Sequence, residues 1–433
     1  MNSFKYIIFA NIINVFANLL ILILITRTYE LNELRYFFLA QSLFLLIYSV
    51  SFSNIYYNLF TSFNNKKYKI IFTESFYGFL ISSIFLFIFI NLCLVFFDIP
   101  IKFKLIIIII NLILLLEPLS FFYYHLYLKK LFRIIFYLKT SSLIMGLSIK
   151  LFLILNNYNI IIVALAFVVE QILFTSLVIL YFNNLNYKLF NNKYLVNFNF
   201  LNFFRKNYQF PIIGLSVFLI LRIDIFFIDY YLDQKFVAIY SIASRPIIIG
   251  FGFVVLINQY YFSKMNLINL RLKKFYNIYY QRLICVNFFI YLVALILILL
   301  FADFYLGLFG TYYKDYKYLM FYLCIMSFFA SIVNIWFNHM VIKKKIFTVL
   351  YFHIISILIY VTLNYYLILI WRVDGVVISM IFSLFISIII VNLKNPEEIY
   401  LIAKSLSPIN LISNAKIITN GIFTKKNPEK KDT

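Results

Sequence analysis

The sequence is divided into apolar runs of about 20 residues that are separated by short polar segments. The hydrocarbon core of a bilayer is about 30 Å thick, and an α-helix of about 20 apolar residues crosses it. The sequence therefore predicts an all-α integral membrane protein with twelve transmembrane helices. These helices are centred near Val15, Leu46, Leu86, Leu114, Met145, Phe167, Leu221, Gly250, Leu292, Cys324, Ile359 and Phe382.

The composition agrees with a membrane chain. Of the 433 residues, 64% are hydrophobic and 12% are charged, and the mean hydropathy is +0.95, which no soluble globular domain approaches. The first apolar run, Tyr6 to Ile25, is too long for a signal-peptide core and lacks a cleavage site of small residues. Cys93, Cys285 and Cys324 are far apart and are predicted to be small buried residues without a metal or disulfide role.

Basic residues are distributed unequally between the two sets of loops. The loops after even-numbered helices contain 18 lysines and arginines, whereas those after odd-numbered helices contain eight, mostly balanced by acids. Because positive charge marks the cytoplasmic side, both termini are predicted to be cytoplasmic. This distribution explains the net charge of +22 without a nucleic-acid partner. The outer loops are short, and the longest runs from Ala302 to Lys317.

The widest polar break is the Asn-rich inner loop of residues 183–207. It predicts two pseudo-symmetric six-helix bundles, residues 1–182 and 208–394, followed by a basic cytoplasmic tail, residues 395–433. Within the tail, the interrupted apolar stretch from Ile399 to Phe423 is predicted to lie at the membrane interface against anionic lipid. A weak repeat, typical of parallel transporter halves, relates helices two and eight at a spacing of 203 residues, through Leu34, Phe37, Ala40, Val237, Tyr240 and Ala243.

Charged side chains occur within the predicted helices seven and eight. An ionised group at mid-membrane costs about 2.5 to 3.5 kcal/mol, so each needs a partner or a function. Helical geometry places Arg222 and Asp229 on one face and directs Asp224 away from it. Arg222 and Arg245 each lie about 17 Å from the turn at residues 233–234. Their matching depth predicts an anion site. The alternative is that Arg222 forms an ion pair with a carboxylate of a neighbouring helix and serves only to hold the helices together.

Other polar side chains deep in predicted helices are functional candidates by default. In helix one, Asn11, Asn14 and Asn18 share one face and either line a cavity or hydrogen-bond between helices. The charged candidates are Glu117 in helix four, Lys139 and Lys150 in helix five, and Glu170 in helix six. Prolines within helices are predicted to bend them, and they are Pro118, Pro211 and Pro246.

No signature of an enzyme is found in the sequence. It has no His-rich metal spacing, no nucleophile elbow and no phosphate-binding glycine loop, and the whole chain contains only nine glycines. We therefore predict that the protein is not an enzyme and that it uses neither a metal nor a cofactor.

A short motif joins helices seven and eight, Arg222-Ile-Asp-Ile-Phe-Phe-Ile-Asp-Tyr-Tyr-Leu followed by Val237-Ala-Ile-Tyr-Ser-Ile-Ala. With the twelve-helix layout and the basic Asn-rich central loop, it resembles the Wzx-type O-antigen and polysaccharide flippases. These belong to the multidrug/oligosaccharidyl-lipid/polysaccharide (MOP) exporter superfamily. The Gly-x-Tyr-x-x-Ala pattern that starts helix eight in that family is matched at Tyr240 and Ala243, while Ala238 replaces the glycine.

The resemblance implies a MATE-like fold of two bundles around a V-shaped cavity that opens alternately to either side. Its cargo would be undecaprenyl-diphosphate-linked O-antigen or capsule repeat units, which it would move across the bacterial inner membrane. Its other partners would be membrane lipids and other surface-polysaccharide assembly proteins. On this hypothesis the substrate is bound by Arg222, Arg245, Lys150, Asn11, Asn14 and Asn18. A coupling proton or sodium ion, or charge balance, is assigned to Asp224, Asp229, Glu117 and Glu170.

Three alternatives stay open at this point. A drug/cation antiporter of the same superfamily favours an acidic cavity and a carboxylate on helix one, where this chain has asparagines. A membrane glycan polymerase or ligase would be expected to have a long outer loop, which the sequence lacks. A structural or assembly protein without transport would not need so many charges within the membrane.

Overall fold

The computed structural model describes residues 4–51, 68–96, 99–129, 131–184, 198–208, 211, 222–271, 273–343, 345–393, 396–408 and 410–411. The secondary structure of these residues is helical and contains no β-strand. Within the same residues, nine helices are long and apolar enough to cross a membrane, and a bent pair makes a tenth. The predicted all-α membrane fold is confirmed.

Two compact units make up the chain, unit 1 with residues 1–238 and unit 2 with residues 239–433. The predicted division at 183–207 stays a prediction, because residues 185–197 lie outside the described part of the chain. The count of twelve helices also stays a prediction, since the centre of helix seven, Leu221, lies outside the described residues. The same holds for the cytoplasmic position of both termini.

The helices of unit 1 are α1 (Phe4–Thr28), α2 (Leu31–Val50), α3 (Tyr68–Phe96), α4 (Ile101–Leu116), α5 (Ser120–Leu128), α6 (Phe132–Leu155), α7 (Ile160–Asn184), α8 (Phe200–Asn207) and α9 (Asp224–Tyr231). A 3-10 turn, Glu117–Leu119, separates α4 from α5, and the chain bends by 41° there. The bend coincides with Pro118, which has no backbone N–H for a helical hydrogen bond, so the predicted kink is confirmed. Helix α6 packs against α1 and α7, and α4 packs against α2 and α7.

An aromatic core joins α3, α5 and α8 in unit 1. Phe72, Phe79 and Phe121 are at most 1% exposed, and Phe203 of α8 packs into the same cluster. A Cβ at Gly78 of α3 would overlap the ring of Phe203, so the missing side chain lets α8 approach. The predicted inner loop therefore contains a helix that is packed on the third span of the unit.

Unit 2 begins within α10 (Gln234–Arg271) and continues with α11 (Lys273–Gly307), α12 (Lys317–Ile342), α13 (Ile346–Asn392) and α14 (Pro396–Leu406). A 3-10 helix, Thr311–Tyr316, connects α11 to α12. Helix α11 packs against α12 and α14, and α12 packs against α13. Pro246 lies inside α10.

Helix α13 is 47 residues long, and its length of about 70 Å is twice what one membrane crossing requires. It is interrupted at Arg372, where φ is 49° and ψ is −128°. A Cβ at Gly375 would overlap the carbonyl oxygen of Leu367, so the backbone approaches itself closely around this break. The two helical segments on either side of Arg372 correspond to the predicted helices eleven and twelve.

Candidate functional site

Polar side chains from four helical segments of unit 1 gather within its apolar interior. Two lysines of α6, Lys139 and Lys150, are eleven residues apart, so they share one face of the helix about 17 Å apart. Their partners come from α1, α7 and the 3-10 turn after α4. We call this group the polar cluster, and its members are Asn11, Glu117, Lys139, Lys150, Glu170 and Gln171.

The ion pair between Lys150 and Glu170 is the most enclosed part of the polar cluster. Lys150 is 2% exposed, and its Nζ donates to Oε2 of Glu170. The same ammonium lies 3.7 Å from the centre of the Phe167 ring, where a cation is attracted by the ring face. A Cβ at Gly146 would lie 2.6 Å from Cγ of Glu170, so the glycine leaves room for the carboxylate. The sequence identified both ionic residues as candidates but did not pair them.

Lys139 has a neutral partner. Its Nζ donates to Oδ1 of Asn11 at 3.0 Å, and Glu170 acts on it only through space. Among the described residues, no carboxylate oxygen lies within 4.0 Å of this ammonium. An ammonium has three N–H donors, and Asn11 accepts one of them. Sequence reasoning named Lys139 as a functional candidate but not as a binding residue, although its shared helix face with Lys150 was a usable signal.

Two further asparagines of α1, Asn14 and Asn18, follow Asn11, the partner of Lys139, along that helix. Asn18 Nδ2 donates to Oδ1 of Asn14 at 2.9 Å, and Asn18 is exposed while Asn14 is partly buried. Amide groups exposed at the middle of a membrane span are stable where they meet water or a polar ligand rather than hydrocarbon. Asn14 and Asn18 are hydrogen-bonded to each other within α1, and the choice between cavity lining and interhelical hydrogen bonding stays a prediction.

Glu117 is placed by the break between α4 and α5. It occupies the first position of the 3-10 turn, directly before Pro118, and its Oε1 accepts a hydrogen bond from Nε2 of Gln171 at 3.3 Å. Glu117 and Glu170 therefore differ in their surroundings, since Glu170 binds a lysine and Glu117 binds a neutral amide.

Asp229 of α9 is paired with Arg35 of α2. The guanidinium contacts the carboxylate with two atoms, Nε on Oδ1 and Nη2 on Oδ2, the latter at 3.0 Å. Such a two-point ion pair fixes orientation as well as distance. The pair lies in an open cleft of about 560 Å³, which is lined by Leu31, Arg35, Asp229, Leu232, Asp233, Gln234 and Lys235. Sequence reasoning counted Arg35 with the outer loop, but α2 begins at Leu31 and carries it.

Between Arg222 and the start of α9 lies Ile223, whose φ of −65° and ψ of −24° are helical, and the shared face of Arg222 and Asp229 stays a prediction. Asp224 begins α9 and is 1% exposed, and its Oδ1 accepts a hydrogen bond from the backbone N–H of Ile225 at 2.7 Å. A carboxylate is favourable at a helix N-terminus, where backbone N–H groups are unsatisfied. Arg222 is partly buried, and Asp224 acts on it electrostatically.

The predicted alternative for Arg222 was an ion pair that locks it to a neighbouring helix. In the part of the chain that the structure describes, no carboxylate oxygen lies within 4.0 Å of its guanidinium. Arg245 belongs to unit 2, where it lies on α10 close enough to Tyr305 of α11 to act on its hydroxyl. That hydroxyl donates to the carbonyl oxygen of Ile242 at 3.1 Å. The convergence of Arg222 and Arg245 on one anion site stays a prediction.

No group of three or more His, Cys, Asp or Glu side chains in the described ranges is arranged to hold a metal ion. Among the described residues, Cys93, Cys285 and Cys324 form no disulfide, and the latter two are buried.

Solved structures share this fold. The chain aligns over 98% of its length with 93% of the lipid II flippase MurJ in an inward closed conformation, with a TM-score of 0.70 and 16% identity. An inward-facing multidrug resistance MATE family transporter of the MOP superfamily aligns with 90% of this chain and 96% of its own length, with a TM-score of 0.67 and 13% identity.

A third similar structure is a MOP superfamily transporter from Pyrococcus furiosus whose binding pocket has reversed polarity. It covers 92% of this chain and 95% of its own, with a TM-score of 0.60 and 12% identity. No protein-family model matches the sequence, and no curated protein matches it either. At these identities the likeness concerns the fold, so the chain has the fold of MOP superfamily transporters, and the MATE-like architecture is confirmed.

Proposed function

We propose that the protein is a flippase that moves undecaprenyl-diphosphate-linked oligosaccharide across the bacterial inner membrane by alternating access. Two of the similar structures, a lipid II flippase and a multidrug transporter, have this fold and differ in the cargo that their names state. The choice between cargoes therefore rests on the charges that this chain places within its membrane-spanning helices.

The observation that carries the proposal is the position of Lys139. Its ammonium lies within a membrane helix and is held by an amide oxygen at 3.0 Å. A charge in this position costs about 2.5 to 3.5 kcal/mol, and an amide compensates it less than a carboxylate does. A diphosphate headgroup supplies the missing negative charge and accepts hydrogen bonds from the remaining N–H groups of Lys139. Asn14 and Asn18, which follow Asn11 along α1, are suited to sugar hydroxyls.

Arg222 supports the same chemistry, since the described residues place no acid within 4.0 Å of it. Guanidinium groups bind phosphate through two parallel hydrogen bonds. In this proposal Arg222, Lys139 and, as predicted from the sequence, Arg245 bind the headgroup, while the isoprenoid tail stays in lipid. Lys150 has a smaller share, because Glu170 already binds it. Glu117, which has an amide partner instead of a cation, is the first choice for a coupling ion.

The proposal is tested by surface display of polysaccharide in a flippase-null strain that carries variants at matched membrane levels. Arg222→Ala and Lys139→Ala should each reduce display about tenfold or more, because each removes a charge-assisted hydrogen bond to the headgroup. Arg205→Ala is the control, since Arg205 is exposed on α8 and should leave display unchanged. Full display with both variants would overturn the proposal.

A drug/cation antiporter is the second candidate, because MATE transporters have the same fold. An organic cation needs acidic groups, whereas the polar cluster has two lysines beside its two glutamates, and helix α1 has no acid. The discriminating measurement is ethidium efflux from cells that lack their own drug transporters. The flippase proposal predicts efflux equal to that of the empty vector. Efflux that depends on Glu117, together with no rescue of polysaccharide display, would establish the antiporter instead.

A further inference from the structure

The two units repeat one contact, between α3 and α5 in unit 1 and between α11 and α12 in unit 2. In unit 1, the hydroxyl of Tyr68, at the start of α3, is hydrogen-bonded to Nδ1 of His125 near the end of α5 at 2.8 Å. In unit 2, the hydroxyl of Tyr276, near the start of α11, is hydrogen-bonded to Nδ1 of His339 near the end of α12 at 2.7 Å. The positive-inside pattern places all four residues toward the cytoplasmic side.

Each unit also carries a short amphipathic helix after its last described span. Helix α8 comes after α7 and packs against α3 in unit 1, and α14 comes after α13 and packs against α11 in unit 2. The helix α8 is held by the ring of Phe203 against Gly78. The first part of the predicted tail is therefore a packed helix, whereas residues 412–433 lie outside the described part of the chain.

A buried carboxylate distinguishes α14 from α8. Glu398 is 4% exposed, and its Oε2 lies 2.8 Å from Nε2 of His339, while its Oε1 accepts from Nζ of Lys343 at 2.5 Å. His339 is at the same time hydrogen-bonded to Tyr276. This network joins α11, α12 and α14 through the linked side chains of Tyr276, His339, Glu398 and Lys343.

The remainder of α14 is fitted to the same surface. Cys285 of α11 donates its S–H to the backbone carbonyl of Ser405 at 3.0 Å. The apolar residues of α14 that pack against the core of α11 and α12 are Leu401, Ile402 and Leu406. The opposite face of the helix is exposed and carries Glu397, Tyr400 and Lys404.

We propose that α14 is a strap that stays docked and fastens the cytoplasmic end of α11 to that of α12, with Glu398 as its main attachment. Undocking would leave His339 and Lys343 without their shared carboxylate and expose the apolar side of the helix, so the docked state is strongly favoured. The strap makes the C-terminal segment an integral part of unit 2, and it does not depend on which cargo is carried.

The native thiol of Cys285 allows a direct test in membranes. Ser405→Cys is introduced into the full-length chain after Cys93 and Cys324 have been replaced by alanine, and copper phenanthroline is added as the oxidant. A docked strap should give an intramolecular disulfide, which is detected as loss of labelling by a polyethylene-glycol maleimide in denaturant. Lys404→Cys, one residue away on the exposed face, should remain labelled. Equal labelling of both variants would overturn the proposal.

The role of Glu398 is tested on the Ser405→Cys background. Glu398→Gln should slow disulfide formation several-fold and lower the melting temperature of the purified protein by on the order of 5 °C, because the carboxylate charge is lost. Glu397→Gln removes a neighbouring exposed carboxylate and should change neither quantity. Identical cross-linking rates and melting temperatures for the two variants would show that Glu398 does not attach the strap.

Discussion

At the scale of single residues, a glycine decides whether a lysine and a glutamate can pair inside unit 1. Gly146 and Lys150 lie one turn apart on α6, and Glu170 reaches Lys150 by passing over the glycine. The attraction between the two charges offsets the hydration that both lose within the membrane. Removing one partner is expected to reduce the free energy of unfolding by about 3 to 5 kcal/mol. Gly146 therefore provides the space that the pair requires.

Gly146→Ala should destabilise the protein by about 1 to 3 kcal/mol, since the new Cβ would lie 2.6 Å from Cγ and 2.8 Å from Cβ of Glu170. Gly250→Ala is the matched control, because no atom of the described residues outside the adjacent backbone of its own helix lies within 4 Å of the position of its Cβ. An alanine within a helix otherwise adds about 0.5 to 1 kcal/mol of stability. Thermal unfolding of the purified variants measures both effects, and the assignment is wrong if the two substitutions shift the midpoint alike.

The ionised carboxylate of Glu398 stabilises the folded protein to an extent that depends on pH. Burial alone would raise the pKa of Glu398, but the hydrogen bonds and charges of His339 and Lys343 lower it from 4.5 to about 2. Because this pKa is lower in the folded state, its stabilising effect is complete above about pH 4.5 and is lost as the pH falls towards 2.

Melting temperatures measured between pH 6 and pH 3 should therefore fall more steeply for the native protein than for Glu398→Gln. The glutamine cannot be protonated in this range, so its curve reports the other carboxylates only. Parallel curves would mean that the ionised carboxylate of Glu398 adds no stability to the folded state.

At the scale of helices, the break in α13 separates two spans that would otherwise form one rod. Arg372 has a positive φ of 49°, which is strained for a residue with a Cβ, and Gly375 provides the close backbone approach three residues later. Both features belong to a sharp turn between helices, and the apolar pattern alone did not locate it to the residue.

Two substitutions in this turn should change the stability of the protein in opposite directions. Arg372→Gly should stabilise the protein by about 1 kcal/mol or more, because glycine adopts a positive φ without strain. Gly375→Ala should destabilise it, because its Cβ would overlap the carbonyl oxygen of Leu367, and a backbone atom cannot move aside cheaply. Midpoints of thermal unfolding in detergent decide the question, and a shift of both variants in the same direction contradicts the assigned geometry.

At the scale of the whole molecule, loop charge sets the predicted orientation. With both termini cytoplasmic, a fluorescent protein fused after Thr433 should fluoresce, because it folds in the cytoplasm. Alkaline phosphatase fused after Gly310, between α11 and α12, should be active, because it requires the outer side. An inactive phosphatase at Gly310 would show that the predicted orientation is wrong, and the strap would then lie on the outer side of the membrane.

The sequence by itself determined the membrane class, the spans that the structure describes and the kink at Pro118. These properties follow from run length, hydropathy and proline chemistry, which are local. It also marked most of the important charges, since a lysine or glutamate inside an apolar run is conspicuous wherever its partner lies.

Only the tertiary structure decided which charges meet. Lys150 binds Glu170, Arg35 binds Asp229, and Glu398 binds His339, whereas the sequence alone placed Asp229 only on a shared helix face with Arg222. The reason is geometric, because pairing depends on which helices are neighbours and on the rotation of each about its axis. A run that is apolar on every side does not encode that rotation in its hydrophobic period.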